Sequence, residues 1–278
     1  MVWILLAGSV WRLCQKSCCF TIQNIRQSSI QGITHSSRSD NRKRLIRQGL
    51  IDPQQELAFL KLIFTSPLHR HTKSPLLWIH RRFLIEFMIT PPPVMEELEV
   101  ILSAARHHPK NYLAWNYARF IFTYTWQTQP FGDNLREIHQ RLWKWCKLDV
   151  SDISGWTFFL WYLRPERAWY TALREVVDLN EVIEHAIRLE ESMLSGHEAL
   201  WTFIGAVLVD IEGIIPKHRR VKLLLEVMDY LTKSKVDEED DKLKDKLYGE
   251  RLVTRARRRG LLPAENSKNE ITLDEVSQ

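Results

Sequence analysis

Cysteines 14, 18, 19 and 146 are the side chains of this 278-residue chain best suited to binding a metal or attacking a substrate. A protein zinc site needs several Cys or His ligands at short fixed intervals, so that the chain can close around the ion. Cys14, Cys18 and Cys19 have no histidine partner at such an interval, and Cys146 is isolated in a helical pattern. The spacing assigns no metal to the chain. No disulfide framework is visible either, which makes a reducing compartment the expectation. A glycine-rich phosphate loop, a His-Glu-x-x-His pair and a nucleophile elbow are also absent. The remaining residues able to act on a substrate are lysines, a tyrosine and a His-Arg-Arg run, and these stand at turns beside tryptophans.

The elements that must position them follow from Pro109-Lys110-Asn111-Tyr112-Leu113-Ala114-Trp115-Asn116-Tyr117. This stretch is a compact turn feeding a helix. Asn111 is suited to cap that helix, because its side-chain oxygen can accept from a first-turn N–H that has no partner within the helix. Trp115, one turn in, can fill a gap between neighbouring helices. The pattern returns with small residues, Trp and an aromatic in the same order at Asp152-Ile153-Ser154-Gly155-Trp156-Thr157-Phe158 and at His197-Glu198-Ala199-Leu200-Trp201-Thr202-Phe203. A looser copy is Lys73-Ser74-Pro75-Leu76-Leu77-Trp78-Ile79-His80-Arg81. The tryptophans at 78, 115, 156 and 201 are 37, 41 and 45 residues apart. That period fits two helices and two turns, the mark of an α-solenoid.

The repeat resembles that of the protein prenyltransferase α-subunit family, whose signature runs Pro-x-Asn-Tyr-x-small-Trp and then a polar and an aromatic or basic residue. Pro109, Asn111, Trp115 and Tyr117 match it closely, and the resemblance extends over about residues 50–232. Lys73-Ser74-Pro75 ahead of Trp78, His80 and Arg81, with Gly196-His197-Glu198 ahead of Trp201, points to one subgroup of that family. The resemblance implies an all-α, right-handed superhelix of helical hairpins. It also implies the α subunit of a heterodimeric enzyme, which moves a geranylgeranyl or farnesyl group to a cysteine near a protein's C-terminus. The implied partners are a β subunit that holds Zn²⁺ and activates the thiol, a prenyl diphosphate and a cysteine-containing protein substrate. No cofactor is implied on this chain.

In that family a lysine five residues before a repeat tryptophan approaches the diphosphate, and a tyrosine three residues before the next repeat's tryptophan lies close by. Cations and donors already in place stabilise the charge that builds on the departing diphosphate. Carried over, Lys73 with Tyr112 is the preferred pair and Lys110 the alternative; the His80-Arg81-Arg82 run favours Lys73. Arg81 and Arg82 are expected to pair with carboxylates on adjacent repeats. The family's arginine three places after Trp is replaced by Ala118, Phe159 and Ile204 in the later repeats.

Charge divides the chain. Residues 1–47 carry eight Lys/Arg against one acid, Asp40, whereas the remainder holds 31 basic against 33 acidic residues. The basic balance thus belongs to the N-terminal segment, and the repeat body lacks the clustered basic face of a nucleic-acid binder. The apolar run Met1–Trp11 is too short to span a bilayer. Segment 1–47 reads as a disordered extension, a mitochondrial transit peptide or a wrongly chosen start. Residues 48–259 form the expected repeat domain and 260–278 a disordered tail. A cytoplasmic location follows unless the transit reading holds. The expected breaks are Asp52-Pro53, Ser74-Pro75, Pro91-Pro92-Pro93, Pro109, Gly132-Asp133, Gly196 and Pro216, with one long helix over roughly 170–194. The acid run Asp237–Asp241 followed by lysines reads as a solvated helix face. The rival functional class is a non-catalytic helical-repeat scaffold that binds protein partners.

Overall fold

A computed structural model describes residues 35–67, 69–88, 93–193, 197–233 and 240–263. The chain divides into a unit ending at Asp52 and a second beginning at Pro53. In the first, α1 (His35–Arg47) forms where a disordered extension was expected. Its second half is a run of long side chains with good helix propensity, and Lys43 Nζ lies 3.6 Å from Asp40. Residues 1–34, with Cys14, Cys18 and Cys19, lie outside the described residues.

The second unit is all helical among its described residues. Pro53 opens α2 (Pro53–Thr65), as proline at a first helical position does. A single turn, α3 (His69–Thr72), leads through Lys73 to α4 (Pro75–Phe87). Then follow α5 (Val94–His107), α6 (Tyr112–Thr128), α7 (Asn134–Leu148) and α8 (Ile153–Tyr162). The single helix expected over 170–194 is two helices, α9 (Tyr170–Val176) and α10 (Leu179–Met193). Val177 is extended, at φ −135° and ψ 128°, and Asp178 Oδ1 accepts from the Asn180 N–H at 2.9 Å, so a new helix starts although the apolar spacing runs through the break. Next come α11 (Glu198–Gly205), continued by a π-helical turn over Ala206–Asp210, then α12 (Lys217–Lys233) and α13 (Asp240–Arg258). Pro91, Pro92, Gly196 and Asp237–Glu239 lie outside the described residues. Of the expected tail, Leu262 is buried, and residues after 263 are not described.

Two layers result. Helices α2, α5 and α7 pack side by side in one, and α4, α6, α8 and α11 in the other. All four repeat tryptophans are buried in the second layer. Each of the first three meets the aromatic two places after the next repeat's tryptophan: Trp78 with Tyr117 at 5.0 Å, Trp115 with Phe158 at 4.9 Å, Trp156 with Phe203 at 4.8 Å. The first layer closes on the same rings. Phe64 stacks on Trp78 at 3.9 Å, and Trp145 meets Trp115 edge-on at 4.9 Å. Such contacts are worth about 0.5–1.5 kcal/mol each beyond area burial. Gly155 makes room for Trp145: a Cβ there would lie 2.1 Å from the indole.

Candidate functional site at the repeat turns

The candidate residues sit where the chain turns into the second layer. Lys73 is exposed in the turn between α3 and α4. Tyr112, the first residue of α6, is 60% exposed. What joins them is backbone geometry. The Thr72 carbonyl accepts from Trp78 Nε1 at 2.9 Å and from Asn111 Nδ2 at 3.0 Å. Asn111 is fully buried and caps α6 as expected, its Oδ1 accepting from the Ala114 N–H at 3.3 Å. The residue before Lys73 is therefore hydrogen-bonded to the residue before Tyr112, and adjacent turns are locked together.

The next turn repeats the device with other residues. Trp156 Nε1 donates to the Val150 carbonyl at 2.8 Å. Asp152, also buried, caps α8 through Oδ1, which accepts from Ser154 N at 2.8 Å and Gly155 N at 3.2 Å. Its Oδ2 accepts from the backbone N–H of Lys110 at 2.7 Å. Lys110 adopts φ +58°, the left-handed region that ordinary side chains enter at a cost, and Pro109 beside it is exposed in the same turn. The position that matches Tyr112 in the Lys110 register is Ile153, which has no hydroxyl. Of the two registers, only that of Lys73 has a tyrosine in the adjacent, hydrogen-bonded turn.

Behind these turns lies a buried polar network. Arg81 donates through Nε and Nη2 to the two Glu97 oxygens, both at 2.7 Å, and through Nη1 to the Leu57 carbonyl at 3.1 Å. The Tyr117 hydroxyl donates to the same Glu97 at 2.7 Å. Burial works against the Arg81 charge, but Glu97 and Tyr117 outweigh it and raise the pKa. Burial, followed by Glu97, pushes the Tyr117 phenol well up. His80 Nε2 lies 2.8 Å from Glu56 Oε1, both buried. The network ties α4 to α2, α5 and α6.

Arg81 pairs with a neighbouring helix as expected. Arg82 does not: it pairs with Glu86 on its own helix at 3.3 Å and lies over the Phe120 ring at 4.3 Å. Glu97 and Glu56 were missed, although a signal existed, since both fall on the apolar stripes of their helices (Glu97 beside Val94, Leu98 and Ile101; Glu56 beside Leu57 and Leu60). Thr72 acts through its carbonyl, which side-chain chemistry does not reveal. Cys146 is buried, and its thiol is pushed well up by burial and then by Asp152 and Asp149. Among the described residues no group of His, Cys, Asp and Glu is arranged to hold a metal, and no helix is long and apolar enough to cross a membrane.

Fold and turn geometry together define a two-layer helical-hairpin repeat protein with a buried tryptophan after the turn of each repeat. Residues 77–185 match the ECM9 middle domain. The chain is also similar to curated relatives called protein prenyltransferase alpha subunit repeat-containing protein 1. Identity is 29% to that of Danio rerio, over 42% of this chain and 31% of the relative. It is 26% to that of Homo sapiens, over 55% and 40%, and 25% to the 1-B protein of Xenopus laevis, over 58% and 48%. The chain thus spans about a third to a half of the length of these relatives. The resemblance first seen at residues 109–117 is thereby borne out.

Proposed function

We propose that this chain is the α subunit of a heterodimeric protein prenyltransferase. In this reading a β subunit supplies Zn²⁺ and thiol activation. The α subunit places Lys73 and Tyr112 against the diphosphate of a geranylgeranyl or farnesyl donor while the isoprenoid passes to a substrate cysteine. We place the activity in the cytoplasm, where thiols stay reduced. One observation carries the assignment of the pair: Asn111 and the Thr72 carbonyl join the two turns, so that Lys73 and Tyr112 flank a single hydrogen bond. A lysine ammonium and a phenol held in fixed turns could stabilise charge on the leaving group without reorganising. Lys110 is the weaker candidate, because its companion position is Ile153.

The test is co-expression with prenyltransferase β subunits, followed by a zinc-dependent transfer assay on the purified complex. The reading expects a stable one-to-one complex in which Lys73→Ala lowers kcat by about tenfold or more, with Tyr112→Phe milder, as for loss of one preorganised donor. Lys110→Gly is expected to keep the rate and to hold or raise Tm, since glycine adopts φ +58° freely. Loss on Lys110→Ala but not on Lys73→Ala would move the site by one repeat. No complex with any β subunit would refute the reading in favour of a non-catalytic scaffold.

A further inference from the structure

The loop after α8 gathers arginines for which the proposed function has no use. Arg119 comes from α6, Trp161 from the last turn of α8, and Arg164, Glu166 and Arg167 from the loop that follows. The guanidinium carbon of Arg167 lies 4.9 Å from the centroid of the Trp161 ring, and that of Arg119 lies 5.7 Å from it and 5.8 Å from the Phe158 ring. All three distances are within cation–π range. One indole therefore holds guanidinium groups from two separate elements. Glu166 is the carboxylate of this cluster, accepting from Arg164 Nη1 at 3.1 Å and from Arg167 Nη2 at 3.4 Å. Arg119 donates to Asn116 Oδ1 at 3.1 Å and has no carboxylate among the described residues. Arg167 Nε is buried with no acceptor among the described residues. Burial, and then the neighbouring Arg167 charge, hold the Arg119 pKa below its ordinary value.

Three positive charges thus face one negative charge in a place built to keep them there. Trp169 anchors the loop: it is buried beside Trp161, Tyr162 and Phe131, and its Nε1 donates to the Tyr162 carbonyl at 2.9 Å. The Tyr170 hydroxyl donates to the Gly213 carbonyl. Gly213, at φ +88°, has Pro165 Cγ only 3.1 Å from where a Cβ would stand. A loop pinned at both ends presents its donors without an ordering cost on binding.

We propose that Arg119 and Arg167, seated against Trp161, together with Arg164, which shares Glu166 with Arg167, form a binding site for a phosphoryl dianion. Planar guanidinium forks suit the bidentate geometry of phosphate oxygens, and the surplus charge of the cluster matches that of a dianion. The phosphoryl group comes from a small phosphate or diphosphate, or from a phosphorylated side chain. The proposal shares no residue with the Lys73–Tyr112 pair and does not rest on prenyl transfer.

The experiment is calorimetric titration of the full chain at constant ionic strength with pyrophosphate, inorganic phosphate and O-phosphoserine. The expected result is saturable binding that weakens about tenfold or more in Arg119→Gln and in Arg167→Gln, as for loss of a charge-assisted hydrogen bond. Arg141→Gln, which removes an exposed partner of Glu137 on α7, is expected to bind like wild type. Preference for pyrophosphate names a small ligand, and preference for O-phosphoserine a modified protein. Arg164→Gln repeats the test without touching packed atoms, its side chain being 41% exposed. No saturable binding by the wild type, unchanged affinity in all three site variants, or equal loss in Arg141→Gln would overturn the proposal.

Discussion

His139 sits on α7 with its ring 5.7 Å from Phe159 and 6.2 Å from Tyr162. Burial lowers its pKa from 6.5 to about 4. The folded pKa lies below the unfolded one, so between these values the unfolded chain takes up a proton that the folded chain refuses. The stabilisation is complete above about pH 6.5 and is lost as pH falls towards 4, to a total of about 3 kcal/mol. Urea unfolding from pH 7 down to pH 4 should show this slope, and His139→Phe should flatten it. Parallel profiles for the two proteins would contradict the assignment. The same scale shows what the sequence discloses. Asn111 and Asp152 were readable as caps or turn residues because capping is local chemistry. That Asp152 also accepts from Lys110, and that Arg81 finds Glu97, depends on residues 42 and 16 positions away, which only the packed repeats bring within reach. Arg82 misled because an aromatic face and a carboxylate compete for an exposed guanidinium, and here Phe120 and Glu86 on its own helix take it.

At the scale of elements, the turn into α8 depends on one carboxylate that serves two repeats. Asp152→Ala removes two cap bonds and the acceptor of the Lys110 N–H, and should cost about 2–4 kcal/mol, a lost cap plus a buried donor left unpaired. Asp152→Asn can keep an acceptor for the cap and should recover part of the loss. Chemical denaturation of the three proteins measures this, and an Asp152→Ala variant within 0.5 kcal/mol of wild type, about the usual effect of a surface change, would contradict it. Gly155→Ala should be more severe than glycine-to-alanine changes in most helices. There the added methyl usually helps, but here it would meet the Trp145 ring at 2.1 Å. Overpacking typically costs about 1–3 kcal/mol, and Trp145→Phe in the same chain should relieve part of it. Helix starts at proline were legible, since the ring itself fixes the local backbone. The break between α9 and α10 was not: Val176 and Leu179 preserve the helical spacing of apolar residues, and only the Asp178 cap and the extended Val177 part the two helices.

For the molecule as a whole, the described part of the second unit is stabilised mainly between neighbours, as in other repeat arrays. The period of the tryptophans disclosed that arrangement because each ring needs a partner in the next hairpin. The boundary at Asp52 and Pro53 falls a few residues beyond the one read from charge, since composition marks where the basic segment ends and not where packing begins. The rings that join the repeats have an optical consequence. Indole transitions held 4.9 Å apart at 75°, as in Trp115 and Trp145, couple as excitons and give rise to a signed pair of bands in the ultraviolet circular dichroism. Trp115→Phe should abolish that couplet while helix content, read at 222 nm, stays unchanged. Because the couplet needs both rings in place, it reports whether α6 and α7 have docked.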